Sequence, residues 1–224
     1  MTRQDLTVGN RTTSLHLSAP SGTPVAGVVV LHPWWGLNDD VVAYADRLAD
    51  AGFAVAAPDL YEGRLATTIE EADRLATSLE EDVADAFALA SVDALGAAIG
   101  DPMARLAAVD FSMGAHWALW LPAQRPEVVA SVVYYGTTGG PILSRARTPV
   151  LGHFAETDEF EPEVGIAAFA STLRTAGRDL EVHRYPGTGH WFAEPSRDAY
   201  VPAASELAFD RTVTFLRREL LEKG

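Results

Sequence analysis

The chain has 224 residues, of which 48% are hydrophobic, and this length predicts one domain spanning residues 1–224. Its net charge of −14 would repel nucleic acid and anionic membranes, so we expect neither as a partner. There is no cysteine, which excludes disulfides, thiolate catalysis and thiolate metal sites. The start lacks the apolar core of a signal peptide and no run is long enough to span a bilayer, so we expect a cytoplasmic location.

The first half of the chain predicts a hairpin followed by alternating strands and helices. Residues 7–22 show the alternation of two short antiparallel strands. Residues 25–33, VAGVVVLHP, are typical of a strand buried on both faces of a parallel sheet. Helical spacing follows over 40–52, then a strand over 53–61, then a polar segment and an alanine-rich helical region that ends near Ile99.

The second half continues the same alternation. Strands are predicted at 104–111, 128–136, 148–155 and 180–187. Helices are predicted at 113–121, 163–177 and 204–224, the last with an amphipathic pattern. The whole pattern predicts a single-domain α/β fold whose mostly parallel central sheet is flanked by helices.

In such sheets the functional residues follow the carboxyl ends of the strands. The loop 32–36 (HPWWG), Ser112, Asp158 and His190 all come directly after predicted strands. A serine hydroxyl becomes a good nucleophile only with an imidazole base beside it and a carboxylate that orients the imidazole. The order Ser…Asp…His is the chain order of α/β-hydrolases, so these residues predict a nucleophile, an acid and a base.

The stretch around Ser112 resembles the nucleophile elbow G-x-S-x-G, with one departure. Gly114 supplies the second glycine, but Asp110 stands at the first position. Ser112 could instead be a helix N-cap, which is a common role for serine. The matching loops elsewhere in the chain favour the nucleophile, with Asp110 as a tolerated substitution.

Four longer stretches carry a more specific resemblance: residues 28–63, 109–119, 152–162 and 185–200. Together they resemble the dienelactone hydrolase family of α/β-hydrolases over nearly the whole chain. The resemblance implies an esterase or lactonase without a large lid, acting on small esters and lactones and needing no cofactor. It also implies Ser112 as nucleophile, Asp158 as acid and His190 as base.

Three positions depart from the pattern of the family members that cleave dienelactones. Those members usually have a cysteine where this chain has Ser112, a glutamate where it has Pro33, and an arginine where it has Glu194. The hydrolase assignment survives these differences. The dienelactone substrate does not follow from them, and Glu194 argues against an anionic substrate.

The acid and the histidines have alternative interpretations. Glu156 and Glu159 compete with Asp158 as the acid because the length of the loop is uncertain by a residue or two. Among the other histidines, we expect packing for His116, support of the oxyanion loop for His32, burial for His153, and a strand-surface position for His16 and His183. No convergent metal ligands are evident, so no metal site is expected.

The oxyanion hole and the substrate pocket complete the predicted site. The backbone N–H groups of Met113 and Trp34 should bind the oxyanion, because Pro33 has no N–H. Trp35, Trp191 and Arg64 are predicted pocket residues, although Arg64 could equally lie on a solvated helix face. Core packing is expected for two further tryptophans, Trp117 and Trp120.

These residues predict two-step acyl transfer, in which a small-molecule ester or lactone acylates Ser112 and water then releases the acid. A thioesterase or peptidase on the same scaffold is the nearest alternative. A non-catalytic binding protein with a decayed elbow is the alternative from another class, and Asp110 is the residue that suggests it. We expect a monomer or a small homo-oligomer.

Overall fold

The computed structural model describes residues 2–222 and has two compact units, one ending at Leu106 and the other beginning at Ala107. Each unit holds strands packed against helices, and parallel strand pairs occur in both units. The predicted α/β class with mostly parallel strands is therefore confirmed. The prediction of one domain stays a prediction.

Unit 1 opens with a hairpin and continues with strands and helices in alternation. Its elements are β1 (Thr2–Val8), β2 (Arg11–Ser18), β3 (Gly27–Leu31), α1 (Asp39–Asp50), β4 (Ala54–Pro58), α2 (Ile69–Thr77) and α3 (Glu81–Ile99). The strands lie in the order β1-β2-β4-β3, with β3 parallel to β4. The strands β1 and β2 form the predicted antiparallel hairpin, but it spans residues 2–18 rather than 7–22.

Local chemistry sets the helix boundaries in unit 1. Asn38 is the N-cap of α1, since its side chain accepts a hydrogen bond from the N–H of Val41, and the helix begins at Asp39, one residue before the predicted start. Thr68 and Glu71 form a capping box that begins α2. The predicted helical region is therefore two helices, and the second ends at Ile99 because Gly100 adopts a left-handed φ of 81°.

Unit 2 carries the remaining strands in the order β5-β6-β7-β8, and the pairs β6/β7 and β7/β8 are parallel. Its elements are β5 (Leu106–Phe111, starting at the boundary), α4 (Ala115–Gln124), β6 (Val128–Tyr134), α5 (Gly140–Arg145), β7 (Val150–Ala155), α6 (Glu163–Thr175), β8 (Leu180–Tyr185) and α7 (Pro202–Arg217).

Two features of unit 2 differ from the sequence prediction. The short helix α5 was not predicted, because six residues are too few for a helical repeat of apolar positions to show. The C-terminal helix begins at Pro202 and continues as a π-helical turn from Arg218 to Glu222. The end of its predicted span, 223–224, lies outside the described residues. Between residues 2 and 222, no helix combines the length and apolar character needed to cross a membrane.

Candidate active site

Ser112 lies on a sharp turn between β5 and α4. A three-residue 3₁₀ turn, Ser112–Gly114, joins the strand to the helix, and Ser112 has a φ of 52°. This left-handed conformation is uncommon for a residue with a Cβ and is the strained geometry of a nucleophile elbow. Neither the 3₁₀ turn nor α4 receives a side-chain cap, so the N-cap interpretation of Ser112 is wrong.

Ser112, His190 and Asp158 form one hydrogen-bonded chain. The Ser112 hydroxyl lies 3.0 Å from Nε2 of His190. On the other side of the ring, Nδ1 lies 2.9 and 2.8 Å from the two carboxylate oxygens of Asp158. A carboxylate can only accept, so the neutral ring carries its proton on Nδ1 and leaves Nε2 to accept from Ser112.

The protein shields and orients the acid of this chain. The side chains of His190 and Asp158 are only 4% and 2% exposed. Oδ1 of Asp158 also accepts hydrogen bonds of 2.9 Å from the backbone N–H groups of Phe160 and Glu161. Asp158 is thus held from both sides, and its orientation is set before substrate arrives.

The competing acids of the same loop are directed elsewhere. Glu156 accepts from the backbone N–H of Gly187 at 2.8 Å, and Glu159 is exposed. Asp158 is therefore the member of the predicted set that contacts His190.

Three aromatic rings surround His190. The ring centroids of Tyr135, Phe160 and Trp191 lie 4.9, 5.0 and 5.1 Å from that of the imidazole. Tyr135 and Trp191 adopt positive φ values of 36° and 65°, which are costly for bulky residues and cluster here with that of Ser112. Tyr135 and Phe160 were not predicted, because their relation to His190 depends on how the loops fold back.

Glu194, the residue that departs from the family pattern, is buried. It is 1% exposed and accepts a 2.8 Å hydrogen bond from the hydroxyl of Tyr135, while Arg197 lies 3.9 Å away. Its carboxylate thus supports the ring that packs on His190. The argument that Glu194 repels an anionic substrate loses its basis, because the charge is engaged inside the protein.

Asp110, at the first position of the elbow, is completely buried. Its carboxyl interacts weakly with the backbone of Tyr134 and makes no hydrogen bond of normal geometry. Burial raises the pKa of Asp110 well above its usual range, and the nearby Glu161 adds to the rise. The elbow therefore accommodates Asp110 by favouring its protonated form, which carries no charge into the core.

The loop that follows β3 in unit 1 is organised by His32, as predicted. Nε2 of His32 accepts from the backbone N–H of Leu60 at 2.9 Å, which leaves Nδ1 to donate to the carbonyl of Pro33 at 2.7 Å. Burial lowers the pKa of His32, in keeping with this neutral form. The Pro33 carbonyl also accepts from the backbone N–H of Gly36 at 3.1 Å, and this bond closes the turn that contains Trp34.

The predicted pocket residues differ in exposure. Trp35 is buried at 2% exposure with its ring edge-on to Trp34, whereas Trp191 is partly exposed. Arg64 is exposed, donates to the carbonyl of Tyr61 and lies over the ring of that tyrosine. The oxyanion role of Trp34 and Met113 and the pocket role of Trp35, Arg64 and Trp191 stay predictions.

Some of the burial predictions for the other tryptophans and histidines hold and others do not. Trp117 is buried and Trp120 partly exposed, His153 is fully buried, and His183 is partly exposed. The surface prediction for His16 is wrong: it is 8% exposed because Asp46 on α1 covers it, at 2.8 Å from Nε2. Within the described part of the chain no group of three or more potential ligands could hold a metal ion.

Comparisons with known proteins bear on the fold and on the family of the chain. The chain is similar to a crystal structure from Klebsiella pneumoniae described provisionally as a dienelactone hydrolase, with a TM-score of 0.87, 20% identity, and coverage of 97% of this chain and 98% of that one. This likeness shows that the chain shares the fold of that structure.

Sequence relatives and a family model go further. The chain is 31% identical to "Protein usf" of Aquifex pyrophilus over 87% of this chain and 88% of that protein. It is also 31% identical to a protein of Aquifex aeolicus provisionally named carboxymethylenebutenolidase, over 86% and 88%. The model of the dienelactone hydrolase family matches residues 14–220. The chain belongs to the dienelactone hydrolase family, and this membership supports a hydrolase of the lactone or ester type.

Proposed function

We propose that the chain is a serine hydrolase that cleaves small carboxylic esters or lactones through an acyl-enzyme. The observation that carries this proposal is the continuous chain of hydrogen bonds from Ser112 through both ring nitrogens of His190 to Asp158. The left-handed conformation of Ser112 supports it further, because such strain is retained where surrounding structure and function require it.

The geometry supports a two-step reaction. His190 takes the proton of the Ser112 hydroxyl at Nε2 as the oxygen attacks the substrate carbonyl, and Asp158 stabilises the imidazolium that results. His190 then protonates the leaving alcohol, which in a lactone stays attached to the acyl group. Water activated by the same nitrogen hydrolyses the acyl-enzyme and restores the Ser112 hydroxyl.

The substrate class follows from the aromatic residues and from family membership. Phe160 is 39% exposed beside Trp191, with ring centroids 5.1 Å apart, and forms an apolar surface next to the base. We infer that this surface contacts the acyl or alcohol group of the substrate. The predicted oxyanion donors are the backbone N–H groups of Trp34 and Met113.

Covalent labelling tests the proposal directly. A fluorophosphonate probe should modify Ser112 and abolish hydrolysis of p-nitrophenyl acetate, because a serine activated by a base reacts with such probes whereas ordinary serines do not. Peptide mapping by mass spectrometry locates the adduct, and Ser112→Ala serves as the unlabelled control. Ser18→Ala is the matched control. Ser18 also contacts a histidine but should not be modified, so this variant should be labelled as the wild type is.

Two outcomes would contradict the proposal. An adduct on a different residue would displace Ser112 as the nucleophile. Folded protein that resists the probe and gives no burst of p-nitrophenol would indicate a binding protein. Rates with small esters, lactones, thioesters and peptides then separate the esterase and lactonase activities from the thioesterase and peptidase alternatives.

A further inference from the structure

A second acidic side chain lies close to the Asp158–His190 pair. Oε1 of Glu161 accepts the backbone N–H of Thr137 at 2.9 Å, and Oε2 accepts the hydroxyl of the same threonine at 2.7 Å. Its own backbone N–H donates to Asp158 at 2.9 Å. Glu161 therefore joins the loop that carries the acid to the loop that follows β6.

The loop that follows β6 packs closely on the elbow. A Cβ added to Gly136, the neighbour of Thr137, would lie 2.3 Å from the carbonyl oxygen of Ser112, so only glycine permits this approach. Glu161 is thus tied through Thr137 to backbone that touches the nucleophile. Glu161 therefore contacts Asp158 directly, lies near His190, and is linked through Thr137 to the backbone beside Ser112.

Glu161 also interacts electrostatically with His190 and Asp158. The pKa of Glu161 lies above its usual value because burial raises it, with a smaller contribution from the charge of Asp158. The two hydrogen bonds from Thr137 and the proximity of His190 offset part of that rise by stabilising the carboxylate. Its neighbour Asp110 is completely buried and its charged form is stabilised only by the backbone of Tyr134, so burial raises the pKa of Asp110 much further. Of these two carboxyls, the partly buried Glu161 is the one with two hydrogen bonds that favour negative charge near the base.

We propose that Glu161 is a positioning residue whose carboxylate, beside that of Asp158, stabilises the imidazolium that His190 forms when Ser112 attacks. The inference rests on the proposed hydrolase function and concerns the same site. Glu161 acts in two ways: its charge favours the protonated ring, and its bonds to Thr137 hold the Asp158 loop against the elbow loop. Its bonds are to protein groups, so it is not itself a catalytic residue.

Other charged and titratable groups around His190 also influence its protonation, so a test of Glu161 must leave them unchanged. Within the described part of unit 2, the groups that face the His190 ring are Ser112 on the elbow, Asp158 on the loop after β7 and Tyr135 on the loop after β6. Asp110 on β5 lies near Glu161. Glu194 and Arg197, on the loop after β8, lie behind Tyr135. Glu161→Gln removes the charge of Glu161 alone and keeps the size of the side chain.

The experiment follows the protonation of His190 by NMR in protein labelled with ¹³C-histidine, with the His190 signal assigned from its loss in His190→Ala. Glu161→Gln should lower the pH at which the ring titrates by roughly 0.5 to 1 unit, the order expected for one nearby charge in partly buried surroundings. Thr137→Val is the matched control: it removes a hydrogen bond to Glu161 but keeps the charge. It should shift the midpoint by less than half as much.

Kinetics provide the second measurement. In Glu161→Gln the acidic limb of the profile of kcat/KM against pH should move in the same direction, because the base loses its proton more easily. The NMR titration does not need turnover, so failure of ester hydrolysis in the wild-type protein would overturn the proposed function without affecting this comparison.

Three results would overturn the role of Glu161. The first is an unchanged midpoint in folded Glu161→Gln. The second is an equal shift in Thr137→Val, which would assign the whole effect to loop position and leave no role for the charge in stabilising the imidazolium. Circular dichroism checks folding, and Glu161→Met supplies a second uncharged side chain of similar size. Loss of the fold in both variants would be the third, since Glu161 would then be a residue required for folding.

Discussion

Each unit of the molecule contains a cluster of serine, histidine and aspartate, and the two clusters differ in one decisive respect. In unit 2, Ser112 and Asp158 contact opposite nitrogens of His190. In unit 1, Ser18 and Asp46 both contact the same nitrogen of His16, at 2.9 and 2.8 Å, and Ser18 also donates to Asp46. A serine can pass its proton to the ring only where an unprotonated nitrogen faces it, and an acid on the other nitrogen favours that tautomer and stabilises the imidazolium.

The backbone conformation of the two serines also distinguishes the clusters. Ser18 ends the regular strand β2 and is paired with Val55 of β4, whereas Ser112 sits on a strained turn. The unit 1 cluster also joins two elements, because His16 and Ser18 belong to β2 and Asp46 to α1. Its arrangement is that of a polar clamp that stabilises packing. Residue types alone therefore do not define a catalytic centre. What matters is which nitrogen of the histidine ring the serine and the aspartate each contact.

Removing each histidine should give the largest contrast between the clusters. We expect His190→Ala to lower kcat for p-nitrophenyl acetate by about 10⁴-fold or more, since the nucleophile loses its base. His16→Ala should leave kcat within a few-fold and lower the melting temperature instead. Steady-state kinetics and thermal unfolding of both variants make the comparison. A comparable loss of kcat in folded His16→Ala would mean that the unit 1 cluster takes part in catalysis.

Replacing each aspartate by asparagine should give the next largest contrast. Asp158→Asn should lower kcat by about 10³- to 10⁴-fold, because an amide in contact with Nδ1 favours the wrong tautomer of His190. Asp46→Asn should leave kcat nearly unchanged. Glu156→Gln is the control within the catalytic loop. Should it lose more activity than Asp158→Asn, Glu156 would replace Asp158 as the acid.

These contrasts also show how far the sequence could predict the site. Ser112, Asp158 and His190 each follow a strand end, where a parallel sheet brings distant parts of the chain together. The resemblance to the family was needed to prefer Asp158 over Glu156 and Glu159, which follow the same strand. His16 was misassigned to the surface, because alternation along β2 does not reveal that Asp46, thirty residues later, covers that face. Glu161 was missed for a similar reason: its partner Thr137 lies 24 residues earlier, and no local pattern connects them.

The elbow shows a different limit. The sequence identified Asp110 as a departure from the motif, yet it could not show that the side chain is fully buried or that burial favours its neutral form. That outcome depends on the packing of β5 and on the position of Glu161. Patterns of apolar residues predict the strands well, whereas the protonation of a buried carboxyl requires the three-dimensional surroundings.

The oxyanion donors should give a smaller effect than the base or the acid. Trp34→Pro removes the backbone N–H that the sequence predicts as a donor, and kcat should fall by roughly 10² to 10³-fold. Trp34→Ala keeps the N–H, so it should mainly raise KM and change kcat by a small factor. Circular dichroism must show that the proline variant is folded. Equal kcat values in the two folded variants would move the second donor elsewhere, with Trp35 as the next candidate.

The smallest expected effect concerns the stability of the unit 1 cluster in acid. Burial alone would raise the pKa of Asp46, but hydrogen bonds from Ser18 and His16 outweigh it, and the pKa lies below its usual value. A carboxyl with a lowered pKa in the folded state stabilises the protein above its unfolded-state value, near pH 4, and that stabilisation disappears as the pH falls through the folded-state value. The difference in melting temperature between wild type and Asp46→Asn should therefore be largest near neutral pH and shrink below about pH 4. Asp50→Asn makes the same change of charge at an exposed position of α1 and should show no such convergence. A difference for Asp46→Asn that stays constant down to pH 2 would mean that the cluster stabilises the fold by packing rather than by the charge of Asp46.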